Sequence, residues 1–209
     1  MASIANRRSV MVLYTDPQSP LSHAVRIVLA EKDINVDINF VTAENRPEEL
    51  NEINPYNSLL TLIDRELVLY EAQIIMEYLD ERFPHPPLLP VDPVARASNR
   101  QLRYRVMRDL YSLIDEIESE DEAVAANARK HLRDNLTAIS PLFDQKPFFM
   151  SDEYSLIDCC MAALLWRLDS YGIKLPSSAK AINKYAERLF ERESFKQSLS
   201  EKEKDLKSV

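Results

Sequence analysis

The sequence predicts an α/β domain of order β-α-β-α-β-β-α in residues 1–86, followed by an all-α domain in residues 87–209. Three observations carry this reading. Short apolar runs with the period of a strand alternate with helix-period segments as far as Arg82. Four prolines, Pro84, Pro86, Pro87 and Pro90, then remove backbone donors and bias their preceding residues toward extended shapes. Beyond them only helical periodicity remains. A length of 209 residues suffices for one or two domains with a sizeable core.

The elements follow in order. Residues 2–8 are polar and expected to fray. Val10–Tyr14 is an apolar run bounded by Thr15, Asp16 and Pro17, and reads as a buried strand. Ser19-Pro20 opens a helix to about Lys32, with Val25, Val28 and Leu29 on one face. Val36–Phe40 alternates as a second strand. Pro47, Glu48 and Glu49 form the first turn of a short helix ending near Ile53. Leu59–Ile63 and Leu67–Tyr70 are the strands of a hairpin around Asp64-Arg65-Glu66. The third helix places Ile74, Ile75, Tyr78 and Leu79 on one face, with Glu71 in the first turn, where the helix dipole favours an acid. The first β-α-β unit requires parallel pairing with a right-handed crossover.

In the second half, Asp92-Pro93 is an N-cap followed by proline at the first helical position. The helix from Pro93 to about Glu118 carries two apolar stripes. One is Leu102, Val106, Leu110, Leu113 and Ile117; the other is Tyr104, Met107, Tyr111 and Ile114. The second stripe either faces another subunit or the first domain, or forms one broad face within a single core. A helix from Glu122 to Phe143 follows. Ser155-Leu156-Ile157-Asp158 has capping-box spacing, and the apolar run LIDCCMAALLW after it reads as a central buried helix. Ile182–Phe190 and Phe195–Leu199 are the last helices, and residues 201–209 a solvated charged tail.

Composition excludes several classes. The net charge of −8 argues against direct DNA binding, which needs a basic surface. The single glycine, Gly172, excludes glycine-rich phosphate loops. No apolar run approaches membrane-spanning length, so a cytoplasmic protein is expected. The adjacent Cys159 and Cys160 read as buried reduced thiols. His23, His85 and His131 are far apart and no spacing resembles a metal site. Asp80-Glu81 and Glu116, Glu118 and Glu120 read as helix-surface charges.

Two features remain. Ser19 and Ser22 lie between the first strand and the first helix, where a hydroxyl at a helix N-terminus either serves chemistry or caps the helix; capping is the commoner use. The connector after the third helix is stiff and carries His85, and a preorganised segment presents side chains with little ordering entropy left to lose.

At this point the residues are recognisable. The β-α-β-α-β-β-α half with helices after it is similar to a glutathione-transferase-like chain, whose first domain is thioredoxin-like. Ser19-Pro20-Leu21-Ser22 with Val25-Arg26, Asn54-Pro55, and Ser155-Leu156-Ile157-Asp158 carry that likeness. Within the superfamily the chain resembles the family of stringent starvation protein A, bacterial regulators associated with RNA polymerase. The matching residues are Arg7-Arg8-Ser9-Val10-Met11, Ser22-His23, Val25–Lys32, Asp64-Arg65-Glu66-Leu67, Leu164–Leu168, Phe190-Glu191-Arg192 and, above all, Ile74–Pro87.

The resemblance implies a homodimer that binds RNA polymerase holoenzyme, core and sigma factor, through Pro84, His85 and Pro86. It implies no cofactor, no metal and no catalytic residue. Tyr104, Met107 and Tyr111 are the candidate dimer face. Transferases of this superfamily place a cis-proline before the third strand and a Glu-Ser pair at the third helix; here those positions read Leu59-Leu60 and Glu71-Ala72. A cis bond before leucine costs about 2.5–4 kcal/mol, and an unpaired ligand group about 1–3 kcal/mol. Ser19, Ser22, Leu59, Leu60, Glu71 and Ala72 are therefore expected to be a vestigial glutathione site. The alternative is a glutathione-dependent transferase or reductase using Ser19 or Ser22.

Overall fold

The computed structural model describes residues 10–56 and 58–207. The polar reading of residues 2–8, the Arg7-Arg8-Ser9 part of the matched motif and the last two residues of the tail lie outside them. The described residues form two compact units. One runs to Pro86 and also takes in Gln197–Asp205; the other comprises Pro87–Lys196 with Leu206 and Lys207.

In the first unit, strands β1 (Met11–Thr15), β2 (Val36–Phe40), β3 (Thr61–Asp64) and β4 (Leu67–Tyr70) form one sheet of order β2-β1-β3-β4. β1 pairs with β2 in parallel, and β1–β3 and β3–β4 are antiparallel. β1 is buried along its whole length, as its unbroken apolar run requires. β3 starts two residues later than the sequence suggests. The Asn54 carboxamide donates to Ser58 Oγ at 2.8 Å and Thr61 Oγ1 at 2.9 Å, tying Ser58 and Thr61 to the end of the preceding helix. Helices α1 (Pro20–Glu31), α2 (Glu48–Ile53) and α3 (Ala72–Arg82) complete the α/β part. α1 packs on α3.

The buried stripe of α3 is Ala72, Ile75, Met76, Leu79 and Asp80, so Ile74, expected inside, is exposed. Glu71 is not in the first turn. It is the N-cap, at φ +82°, and its carboxylate accepts from the Gln73 N–H at 3.1 Å. Asp80 is not a surface charge, as described below.

In the second unit the expected long helix is broken. α4 spans Pro93–Asp109, a 3-10 turn covers Tyr111–Leu113 and α5 spans Ile114–Ile117. The Ser112 hydroxyl donates back to the Arg108 carbonyl at 2.6 Å, a side-chain bond that competes with the helical ladder. α6 (Glu122–Ile139) follows and ends in a 3-10 turn over Ser140–Asp144. α7 (Leu156–Leu165) is buried at every position. At its start Asp158 accepts from the Ser155 N–H at 2.8 Å, the Phe149 N–H at 2.9 Å and the Tyr185 hydroxyl at 2.7 Å. Burial pushes the Asp158 carboxyl up, while those hydrogen bonds pull it down. α8 (Lys180–Phe190) and α9 (Glu193–Ser198) follow.

The charged tail is exposed at Glu201, Lys202, Lys204, Asp205 and Lys207, as expected of a solvated tail, but not at Glu203. Glu201–Asp205 forms α10, and Glu203 is fully buried in the first unit. Its carboxylate takes both oxygens to Arg26 Nη2 at 2.6 Å. Arg26 also donates to Thr15 Oγ1, the Asp16 carbonyl and the Ser198 carbonyl, and His23 Nε2 lies 2.9 Å from Ser198 Oγ. A run of alternating charge has the composition of a solvated tail; only tertiary placement of Arg26 reveals the partner.

Candidate functional site

The connector after α3 is held by one buried cation. Helix α1 ends in a Schellman motif: the Ile34 N–H donates to the Leu29 carbonyl at 3.1 Å and the Asp33 N–H to the Ala30 carbonyl at 3.2 Å. Asp33 takes the left-handed position, φ +50°, that glycine usually fills. This turn fixes Lys32, whose side-chain ammonium is fully buried. Its three N–H donors each find an acceptor: Asp80 Oδ1 at 2.5 Å, the Phe83 carbonyl at 2.7 Å and the Pro86 carbonyl at 2.5 Å. The two carbonyls flank Pro84 and His85. Those residues and Pro86 are exposed. The His85–Pro86 bond is cis. Beside them the Arg82 guanidinium lies over the Phe83 ring at 5.2 Å.

Sequence reasoning missed both ends of this anchor. By sequence Asp80 reads with Glu81 as a surface charge, yet it continues the buried Ala72–Met76 stripe at the next four-residue step. A carboxylate on an apolar stripe was the available signal. Lys32 sits one residue past a helix end and carries no comparable signal.

The positions expected to be a vestigial glutathione site divide. Ser19 is the half-buried N-cap of α1, and its hydroxyl accepts from the Ser22 N–H at 3.4 Å. Ser22 is buried, and its hydroxyl accepts from the Asp16 N–H at 3.2 Å. Both serines are thus engaged in building the helix start. The Leu59–Leu60 bond is trans, and Leu60 is buried. Ala72 is buried and offers no hydroxyl, and the Glu71 carboxylate is turned to its own capping bond.

The candidate dimer face is corrected at one residue. Tyr111 is buried in the second unit, and its hydroxyl donates to the Cys160 carbonyl at 2.8 Å. Its phenol is pushed well up by that burial. The break after α4 rotates Tyr111 and Ile114 inward, away from the stripe that Tyr104 begins. Tyr104 stays exposed and Met107 half-buried. Cys159 and Cys160 are both fully buried thiols outside any disulfide among the described residues. Among the described residues no group of His, Cys, Asp and Glu could hold a metal ion, and no helix is long and apolar enough to cross a membrane.

A thioredoxin-like sheet followed by a helical unit with a capped central helix defines a glutathione-transferase-like protein. Residues 9–81 match the glutathione S-transferase N-terminal domain and residues 102–193 the C-terminal domain. The rice glutathione transferase GST1, solved with glutathione, superposes with a TM-score of 0.83 at 23% identity, covering 94% of this chain and 93% of that one. Closer relatives narrow the class. The chain is 52% identical to a stringent starvation protein A homolog from Coxiella burnetii, over 97% of this chain and 98% of the relative. It is 50% identical to one from Pasteurella multocida, over 95% and 94%. The chain belongs to the stringent starvation protein A family.

Proposed function

We propose that the protein is an RNA-polymerase-associated transcription regulator of the starvation response, and that it binds holoenzyme through Pro84, His85 and Pro86 without transferase activity. The observation that carries this reading is the exposed Pro84-His85-Pro86 segment tied at its flanks to the buried Lys32 ammonium. Such a segment is preorganised. Two proline rings offer rigid apolar contact, His85 offers a hydrogen-bonding ring, and little entropy is lost on docking. The acidic chain, net −8, complements basic protein surfaces and disfavours DNA. The mechanism is altered promoter choice through contacts to polymerase core and sigma factor in the cytoplasm, with no covalent step and no cofactor.

The residues at the positions expected to form a vestigial glutathione site support the same reading. The Ser22 hydroxyl is buried and engaged, Leu60 stands where a cis-proline would be, and Ala72 lacks a donor. The working unit is a homodimer whose interface includes Tyr104 and Met107. Purified protein, with and without Pro84→Ala/His85→Ala/Pro86→Ala, is mixed with holoenzyme and retained complex is measured. Loss of complex in the folded triple variant is expected. Equal retention removes the segment from the interface, and saturable glutathione heat without holoenzyme binding would return the function to Ser19 and Ser22.

A further inference from the structure

The second unit holds a small cleft that the polymerase reading does not use. Its walls come from the connector (Leu88, Leu89), from α4 (Asn99, Leu102) and from the loop before α7 (Phe149, Tyr154). The connector wall is fixed: the Leu88 carbonyl accepts from the Leu156 N–H at 3.0 Å and the Pro90 carbonyl from Arg96 Nε at 2.8 Å. The opposite wall is a tight turn closed by the Phe148–Ser151 bridge, with Met150 at φ +53° and half of its surface exposed.

Asn99 is the unusual member. It is 8% exposed, and its Oδ1 is shut from solvent with no hydrogen-bond partner among the described residues. A carboxamide is satisfied by one donor and one acceptor together, and an extended peptide main chain supplies both in one unit. The cleft volume is about 170 Å³. That is well under the several hundred Å³, about 300–1,000, of sites that enclose whole small molecules. It matches one apolar side chain and its main chain, as in peptide docking with a single anchor. Pro87, the residue after Pro86, also lines it.

We propose that this cleft takes an extended apolar segment of the protein partner, with the Asn99 carboxamide reading its main chain and Leu88, Leu102 and Phe149 receiving one side chain. The proposal rests on the polymerase reading and deepens it by giving the same partner a second contact, on the second unit.

The test measures holoenzyme association and dissociation on immobilised protein for wild type, Asn99→Leu, Ala95→Trp and the Pro84/His85/Pro86 triple alanine. Ala95 is an exposed residue at the cleft edge, so tryptophan fills the cleft without touching the core. Asn99→Leu removes an unpartnered polar atom, so its melting temperature is expected at or above that of wild type. Both cleft variants are expected to raise the dissociation rate at least tenfold. Wild-type affinity in either cleft variant, with the triple variant impaired, overturns the cleft proposal and leaves the polymerase reading standing. Weakened binding by Asn99→Leu alone, with a lowered melting temperature, assigns Asn99 to the fold and also overturns it. No binding by wild type overturns both.

Discussion

Replacing Lys32 by methionine separates two roles of one side chain. The Lys32–Asp80 pair has side chains 0% and 9% exposed, so it lies in the regime where removing one partner strips a buried charge of its counter-ion in the pair. That costs about 3–5 kcal/mol, against a total of about 5–15 kcal/mol for a typical domain. The Phe83 and Pro86 carbonyls also lose their donor, but both lie next to solvent-exposed residues and water can reach them. The second variant, Lys32→Met/Asp80→Leu, removes both charges. Apolar replacement of a buried pair is often neutral or better, so most of the stability is expected to return. The connector stays untied, however, because nothing replaces the bond to the Pro86 carbonyl. Holoenzyme affinity should therefore fall in both variants, while stability falls only in the first. The only tryptophan, Trp166, lies in the second unit, so its fluorescence does not follow this region. Amide hydrogen exchange in α1 and α3, with urea titration by circular dichroism, does. A single variant within 1 kcal/mol of wild type, or a double variant with full holoenzyme affinity, refutes the reasoning; the first figure is roughly the value of an exposed pair.

Further outcomes are expected. Glu203→Ala leaves the Arg26 guanidinium buried without its carboxylate and should cost about 3–5 kcal/mol; because the pair is buried, thermal melts should show nearly the same loss at low and high salt. Asp158 has a folded-state pKa raised above its ordinary 3.8, chiefly by burial. A raised carboxyl favours folding most when protonated, so the stability of wild type over Asp158→Asn should be largest below the unfolded pKa and shrink as pH rises through the folded one. Paired urea titrations from acid to neutral pH check that sign. Leu60→Pro/Ala72→Ser puts a proline and a hydroxyl at the two positions proposed to have lost their glutathione contacts. Calorimetry should show its affinity rising by about two orders of magnitude over wild type, taking 1.4 kcal/mol per tenfold; an unchanged heat would place the defect elsewhere.

How much of this was legible in the sequence depends on the range of the interaction. β2 and β4 carry clear strand signals, and their limits match those read from sequence. The capping box at Ser155 and the buried run after it are local signals and were equally plain. The single long helix from Pro93 failed because Ser112 bonds backward to Arg108, a competition that apolar periodicity does not register. Of the two readings of the second apolar stripe, an outward face or one broad face within a single core, buried Tyr111 and Ile114 favour the second, while Tyr104 stays exposed. Asp80, Lys32, Arg26 and Glu203 were misread or passed over for one reason: a buried ion pair looks like two surface charges until both partners are placed. The stiff connector carrying His85 was legible, because proline's effect on the backbone is local; the exposure of His85 was not. The anchor beneath it was not, because Lys32 is 54 residues from Pro86.

The central claim is that His85 meets polymerase directly. A photoreactive amino acid at position 85, irradiated in a mixture with holoenzyme, tests that contact without relying on loss of binding. An identical probe at Val124, an exposed residue of α6, is the control. The account predicts a crosslink to a polymerase subunit or sigma factor from position 85 and none from position 124. Retained complex with no crosslink from position 85 would contradict it.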